Sequence, residues 1–345
     1  MSAEPQRERP ARAVGLTRPT WHRSYTSGAL VALLFLIYLS RSGWTFGGIE
    51  ALGITNDALP LALAAVGETF VILTNGIDLS IGSMITISNV TLAVLDSHGF
   101  GAFGLVIVLA IGASAGLING LIVCFMRIPP LIATLATSSI YLGFSLMILP
   151  SPGGTVPQWL SNWTTGDISS SNFPIAGLWL VVTMVVGWVV LRRTNFGIRL
   201  QALGGSESSS WSAGISVVRV RILAYVAAGL CSALAGVVLG GLTQSGDPTI
   251  GAVYLLGAVA AVVVGGTSLA GGVGTIAGSV LGAVVLSLVS AVLLVSGLSA
   301  NYQYIVTGVI VIGALLAHSV QTKLSSIAAE RSRRFVSVST TDGQQ

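Results

Sequence analysis

The 345-residue chain is too apolar and too poor in charge to be a water-soluble protein. Hydrophobic residues make up 53% of it and charged residues 8%, with a mean hydropathy of +0.87, whereas soluble domains carry about 25% charged residues. The formal net charge is +4, but the cations lie in tails and short loops beside apolar spans, which excludes a nucleic-acid-binding function.

Apolar stretches of about 20 residues, the length that crosses a bilayer as a helix, follow one another along most of the chain. They lack the alternation of polar and apolar side chains that a transmembrane β-strand shows, so an all-α, polytopic membrane protein is predicted. A short polar segment, Asn75–Asp78, is all that divides the second span from the third, and the short, glycine-ended eighth span is typical of a tilted or broken helix. About ten transmembrane helices are predicted, near residues 25–40, 58–75, 79–96, 101–125, 130–149, 174–191, 221–242, 253–267, 274–295 and 302–318.

The basic residues are distributed unevenly among the loops between these spans. With the N-terminus in the cytoplasm, ten spans place fifteen of the sixteen Lys and Arg residues inside and Arg41 alone outside. Cytoplasmic loops carry the excess of Lys and Arg in membrane proteins, so both termini are predicted to be cytoplasmic. The chain then divides into a basic tail at 1–24, a transmembrane domain at 25–318 and a C-terminal tail at 319–345.

Two polar connections are long enough to contact soluble partners. Residues 192–221 form the longest predicted cytoplasmic loop and offer the largest surface that a soluble protein could grip. On the outer side, residues 150–173 are rich in Gly, Pro and Ser and carry Trp159 and Trp163. This outer segment is either a linker with aromatic anchors at the membrane interface or a docking surface for an external binding partner.

Residues suited to catalysis or metal binding are scarce. Lys323 is the only lysine, so the phosphate-binding loop that ends in Gly-Lys and Ser or Thr does not occur. The three histidines are far apart, and no spacing typical of a metal site is present. We therefore expect a protein that is not an enzyme and holds no metal or cofactor itself.

Polar side chains inside the spans are the remaining candidates for function. Glu68 lies well inside the second span, where a carboxyl group indicates a functional site by default; the alternative is a hydrogen-bonded Glu that orders helix packing. Asp78 is expected to cap the third span or to contact a substrate. Uncharged hydrogen-bonding groups suit a polyhydroxylated neutral solute better than an ion, although each also serves to join helices. The uncharged candidates for a substrate path are Ser83, Ser88, Asn89, Asn119 and Thr134.

The glycine-rich segment 262–282 is predicted to turn on the cytoplasmic side. Close packing of helix ends and turns with positive φ angles is the simplest explanation of so many glycines. Its GTSLAGG motif weakly echoes NGIDLSIG at 75–82, which hints at an internal repeat of the kind that transporters contain.

Four motifs resemble those of the ribose-type permease family of bacterial ABC sugar importers. They are TNGIDLSIGS at 74–83, NGLIVCFMRIPPLIATLAT at 119–137, TNFGIRLQALGG at 194–205 and GAVAAVVVGGTSLAGGVGTIAGSVLGAV at 257–284. The resemblance implies an inner-membrane permease, similar in fold to the vitamin B12 importer permeases, that pairs with a second copy or a homologous permease. It also implies that the chain forms the path for a sugar delivered by an external binding protein, while ATP and Mg are held by a separate ATP-binding cassette subunit.

In that family, the loop after the sixth span carries a short coupling helix that seats in a groove of the ATPase. The matching position here is 204–215, where GGSESSSWSAGI replaces the usual GGNxxAARxSGI and Trp211 stands in place of Arg. These departures fit one half of a heterodimer whose other permease is more typical. The residues assigned to ATPase coupling are Arg199, Gly204, Gly205, Ser206, Glu207, Ser209, Ser210, Gly214 and Ile215.

The physical chemistry of this segment favours a short helix after a sharp turn. Gly204 and Gly205 are expected to adopt backbone angles that other residues resist, and a negative Glu207 is favourable in a first helical turn. Small residues such as Ser210 would let the helix seat closely against its partner, and Ile215 would fill an apolar pocket.

The alternative function is a secondary transporter coupled to protons through Glu68. Such a carrier usually needs more than one titratable group along its path. It would also have no need of the long loop at 192–221.

Overall fold

The computed structural model describes residues 21–166 and 174–299, with a few more at 302, 305–306, 308–310 and 312–313. Between residues 21 and 295 the described chain forms twelve helices and no strand, which confirms the predicted all-α class. The helices are α1 (Trp21–Arg41), α2 (Gly48–Leu73), α3 (Ile81–Ser97), α4 (Gly101–Phe125), α5 (Pro130–Ile148), α6 (Gln158–Thr165), α7 (Ile175–Arg193), α8 (Asn195–Gly205), α9 (Glu207–Ser212), α10 (Val217–Thr243), α11 (Ala252–Val264) and α12 (Ile276–Val295).

Six helices of the described chain are long and apolar enough to cross a membrane, namely α2, α4, α5, α7, α10 and α12. The shorter apolar helices are α3, α11 and the part of α1 from Thr26 onwards. Every span predicted before residue 302 therefore coincides with a helix. The last predicted span, 302–318, and the two predicted tails lie mostly outside the described residues, so the count of about ten stays a prediction.

Helices α2 and α10 begin well before the boundaries that hydropathy predicts. Helix α2 begins at Gly48 rather than residue 58, because Glu50 and Asp57 lower the hydropathy of turns that are nevertheless helical. Helix α10 begins at Val217 rather than residue 221, since its first turns carry arginine. Helical structure continues into these polar segments because backbone hydrogen bonding does not require apolar side chains.

The polar break between α2 and α3 forms a tight turn, as its sequence predicts. Asn75 takes a left-handed φ of 64°, and its amide bonds back to the last turn of α2. Asp78 does not cap α3, contrary to expectation, because Ser80 occupies the capping position and makes no side-chain capping bond. Instead, Asp78 Oδ1 accepts hydrogen bonds from the amide and hydroxyl of Ser80, at 2.9 and 2.6 Å, just ahead of the helix.

Helix α10 packs against α2, α3 and α4, and its contact with α4 depends on small residues. A Cβ at Gly112 would lie 2.6 Å from the carbonyl oxygen of Gly229, and one at Gly116 would lie 2.8 Å from the carbonyl carbon of Tyr225. Small residues let backbones approach where lipid removes the hydrophobic force between helices. The abundance of glycine therefore has a direct packing role.

The glycine-rich segment 262–282 joins α11 to α12 as the sequence predicts. Gly266, Gly271 and Gly272 have positive φ angles, which form the turn. A Cβ at Gly265 would lie 2.5 Å from the carbonyl carbon of Gly278, so the two helices touch through their backbones.

The turns lie at two opposite faces of the helix bundle. The α9 face carries α8 and α9 together with the turns 74–80, 126–129 and 265–275, which contact these helices or one another. Ser27, near the start of α1, donates to the carbonyl of Val264 at 3.1 Å, so α1 also begins at this face. The opposite face carries α6 and an isolated bridge between residues 153 and 246.

Candidate functional site

The predicted coupling loop is folded into the two short helices α8 and α9. Thr194 caps the start of α8, and its hydroxyl accepts from the amide of Gly197 at 3.2 Å. Ser206 caps the start of α9, and its hydroxyl accepts from the amide of Ser209 at 3.3 Å. Such caps satisfy amides that have no partner within the helix. The predicted short helix is therefore present, with Glu207 in its first turn.

The two glycines at the end of α8 act differently from expectation. Neither has a positive φ angle, and the chain turns instead at Ser206, which is extended with φ −165° and ψ 115°. A Cβ at Gly204 would lie 2.8 Å from Cα of Gly272 and closer still to the carbonyl oxygen of Leu73, whereas a Cβ at Gly205 meets nothing within 4 Å. That carbonyl also accepts from the amide of Gly272 at 3.1 Å. The end of α8, the end of α2 and the α11–α12 turn therefore meet at Gly204, and we call this contact the glycine junction.

Two of the residues expected to touch a partner face the interior of this chain instead. Ser210 is only 4% exposed, and Ile215 packs against the main apolar core, because the helix lies flat on the bundle. Trp211, by contrast, is 75% exposed. The remaining coupling residues, Arg199, Gly205, Glu207, Ser209 and Gly214, are exposed, and Ser206 is half-buried.

An ion pair that sequence reasoning missed fastens α9 to α10. The guanidinium of Arg221 donates to Oε2 of Glu207 at 3.0 Å. The two residues are fourteen positions apart, so no helical spacing signals the pair. Because Glu207 is largely exposed, the pair contributes little stability, and its effect is to orient α9.

A groove of about 1090 Å³ opens at the α9 face beside this ion pair. One wall is α9, including Trp211; the other is the α4–α5 turn at 127–130; and the base is the start of α10. Arg127 at the tip of the turn is exposed and has a left-handed φ of 55°. The groove therefore combines an exposed aromatic ring with an exposed positive charge.

Four of the predicted path residues meet in a buried polar cluster behind the α9 face. Oε1 of Glu68 accepts from the amide of Asp78 at 3.2 Å, and Asn119 donates to the Ser80 hydroxyl at 2.7 Å. The hydroxyl of Thr134 accepts from the amide of Leu79 at 3.0 Å. All four side chains are at most 1% exposed. We call this set, with Ser80, the carboxyl cluster.

Tyrosines complete the cluster and escaped prediction from sequence. Tyr141 donates to Oδ1 of Asn119 at 3.2 Å and to the carbonyl of Ala115 at 3.0 Å. Tyr225 is fully buried, and the hydroxyl has no partner in the described structure. The same is true of Glu68 Oε2 and Asp78 Oδ2. Aromatic residues in an apolar span give no signal that separates these hydroxyls from ordinary packing.

The other predicted path residues lie apart from this cluster. Asn89 lies towards the opposite face, where Oδ1 accepts from the amide of Asp247 at 2.8 Å and the amide group donates to the carbonyls of Gly236 and Ser245, both at 3.4 Å. Ser83 and Ser88 donate to carbonyls of their own helix region at 2.8 and 2.7 Å. The seven path candidates therefore do not form one continuous lining in this conformation.

Comparison of the sequence with known proteins places the chain in a family. A family profile described as the permease component of a branched-chain amino acid transport system matches residues 51–315. The ribose import permease protein RbsC of Bacillus subtilis is 37% identical over 290 residues, which cover 82% of this chain and 89% of that protein. The chain belongs to this permease family.

Two further relatives extend the comparison. The galactofuranose transporter permease protein YtfT of Escherichia coli is 33% identical over 229 residues, 66% of each chain. The autoinducer 2 import system permease protein LsrC of Yersinia enterocolitica is 34% identical over 192 residues, 54% of this chain and 51% of that one. No solved structure matches the chain.

The family membership confirms the resemblance to ribose-type permeases of ABC importers and makes the chain a multi-pass inner-membrane transport subunit. It does not favour the proton-coupled alternative. In the described residues, no group of three or more His, Cys, Asp or Glu side chains is placed to hold a metal ion.

Proposed function

We propose that this chain forms the membrane path of an ATP-driven importer for a sugar or a sugar-like polyhydroxylated solute. A separate ATP-binding cassette subunit holds ATP and Mg, an external binding protein delivers the solute, and a second permease copy or a homologous permease completes the path. The relatives named for ribose, galactofuranose and autoinducer 2 support this solute class.

The observation that carries the proposal is the α9 helix on its own face of the bundle. It is capped at its start, held to α10 by the Glu207–Arg221 pair, and exposes Trp211. A helix of six residues is too short to persist alone, so its support by the bundle indicates a presented surface. We assign that surface to the ATPase.

The α9 face is the cytoplasmic face in this proposal. Among the arginines with described side chains, Arg41 lies at the opposite face and the others lie at the α9 face: Arg127, Arg192, Arg193, Arg199, Arg219 and Arg221. This asymmetry supports a cytoplasmic α9 face.

Single cysteines at Ser151 and Ser208, both exposed, test this orientation in a background without Cys124 and Cys231. A membrane-impermeant maleimide should label position 151 in intact cells and position 208 only after permeabilisation, and the reverse pattern would overturn the orientation.

Transport itself is tested with proteoliposomes that contain the chain, its ATPase and its binding protein. Uptake of ribose or galactofuranose should require ATP on the side of the membrane that the α9 face contacts. It should persist when an ionophore removes the proton gradient. Uptake by the chain alone that is driven by a proton gradient would refute the proposal.

A further inference from the structure

The groove beside α9 has two features that solvent alone does not explain. Trp211 presents a large aromatic ring, 75% exposed, at the edge of the groove. On the facing wall, no described carboxylate lies within ion-pair distance of Arg127. Trp, Tyr and Arg are enriched among the residues that dominate binding energy at protein interfaces.

The wall that carries Arg127 is held in place before any partner arrives. Pro129 and Pro130 follow it and restrict the backbone, and the amide of Ile132 bonds to the carbonyl of Pro129 at 3.0 Å. One turn further, the Thr134 hydroxyl bonds to the Leu79 amide and to the Pro130 carbonyl, at 3.0 and 2.9 Å. A preorganised surface loses less entropy when a partner binds.

The charges at the groove indicate which chemical groups an occupant must carry. Arg221 is already paired with Glu207 at 3.0 Å, so Arg127 contributes the uncompensated charge. An occupant that matches both walls carries a carboxylate for Arg127 and an apolar side chain for Trp211.

We propose that the α4–α5 turn is a second contact for the ATPase, and that an acidic and apolar segment of that subunit enters the groove between Arg127 and Trp211. This inference rests on the proposed function, because it assumes that α9 contacts the ATPase. It adds a contact outside the α8–α9 segment, contributed by a separate part of the chain. The groove volume of about 1090 Å³ accommodates several side chains.

The occupied groove would connect the ATPase to the carboxyl cluster by a short route. Thr134 accepts from the amide of Leu79 and also contacts the carbonyl of Ile77 at 3.3 Å, and these residues flank Asp78 in sequence. A displacement of the α4–α5 turn therefore acts directly on the turn that holds the buried carboxylate.

The test is photo-crosslinking in membranes of cells that contain the whole importer. Arg127 and Trp211 are each replaced, one at a time, by a photoreactive phenylalanine analogue, with Ile118 on the outward surface of α4 (46% exposed) as the control position. Adducts are identified by mass spectrometry. We expect positions 127 and 211 to capture a subunit with nucleotide-binding motifs and position 118 to capture none.

The other outcomes separate the two proposals. Capture of the ATPase at 211 alone overturns the second contact and leaves the proposed function standing, whereas capture at neither position counts against both. An adduct of position 127 with phospholipid, or with a second copy of this chain, also overturns the second contact.

A charge reversal gives independent evidence. Arg127→Glu should lower co-purification of the ATPase roughly tenfold or more, because it places a carboxylate opposite a carboxylate, and Arg127→Lys should largely restore it. Arg219→Glu is the matched control, since Arg219 is an exposed cation of the same face that does not line the groove. Equal losses in Arg127→Glu and Arg219→Glu would show a general charge effect and overturn the inference.

Discussion

Gly204→Ala should break the glycine junction between α8, α2 and the α11–α12 turn. The added Cβ would lie 2.8 Å from Cα of Gly272 and nearer still to the carbonyl of Leu73, separations that real Cβ atoms essentially never show. Both neighbours are backbone atoms, so no side chain can rotate away. The helix end must therefore move as a unit.

The magnitude follows from two contributions. Overpacking of a well-packed site costs about 1–3 kcal/mol, and separation of Leu73 from Gly272 weakens their 3.1 Å hydrogen bond, which contributes about 0.5–1.5 kcal/mol. Relative to Gly205→Ala, which has the same change in helix propensity, we expect a loss of about 1.5–4.5 kcal/mol in the free energy of unfolding, the sum of these ranges. Thermal unfolding of the purified chain in detergent measures this loss as a lower melting temperature.

Gly205→Ala is the matched control for the stability measurement. It makes the same substitution one residue later, where the Cβ meets nothing within 4 Å, and alanine favours a helix over glycine by about 1 kcal/mol. The melting temperature of this variant should be unchanged or higher. Equal melting temperatures for Gly204→Ala and Gly205→Ala would refute the junction. A separate variant, Gly205→Val, tests contact with the ATPase. If it keeps its fold but no longer co-purifies with the ATPase, Gly205 lies at the contact with that partner.

Three further substitutions test the interior of the bundle. Tyr141→Phe should lower the free energy of unfolding by about 1–2 kcal/mol, because Asn119 and a backbone carbonyl lose a buried donor. Ser139→Ala, at an exposed position of the same helix, should leave it unchanged. Equal melting temperatures for the two variants would contradict this prediction. Gly278→Ala should abolish accumulation of folded protein, since a Cβ there overlaps the carbonyl of Gly265; normal yield on size-exclusion chromatography would show that α11 and α12 can separate. Glu68→Gln should keep or raise the melting temperature, because an amide retains the acceptor for the Asp78 amide and places no charge in the interior. Glu68→Ala should lower it. A large loss in Glu68→Gln would show that the carboxyl group itself is required.

Features that depend on local sequence were predictable here. The short helix was predicted from the family resemblance, and Glu207 lies in its first turn, where a negative side chain is favourable; the turn before it is made by Ser206 and not by the two glycines. The turns at Gly266 and Gly271 follow from the steric freedom of glycine. Such features require no knowledge of which helices become neighbours.

Features that depend on helix neighbours were not predictable from one sequence. Tyr141 reaches Asn119 only because α5 packs beside α4, and the Glu207–Arg221 pair forms only because α9 folds back on α10. The same cause explains the incorrect expectation for Ser210, whose small side chain serves packing inside this chain. Periodicity identifies the apolar side of a helix, but it does not say which helix covers it.

The carboxyl cluster is better placed to join moving parts than to line an open path. Glu68 and Asp78 are at most 1% exposed, so a solute cannot reach them in this conformation. The turn 74–80 follows the helix of Glu68 and contains Asp78. It is held on one side by the glycine junction at Leu73 and on the other by Thr134 of α5. A helix is stiff along its axis because each turn is hydrogen-bonded to the next, so a shift at the α9 face reaches Glu68 within two turns of α2. One oxygen of each carboxyl group has no hydrogen-bond partner among the described residues, and an unsatisfied buried acceptor costs about 1–3 kcal/mol. A second arrangement of this turn that gave these oxygens partners would recover that cost, so the turn is the place at which a shift of the α9 face would act on the carboxyl cluster.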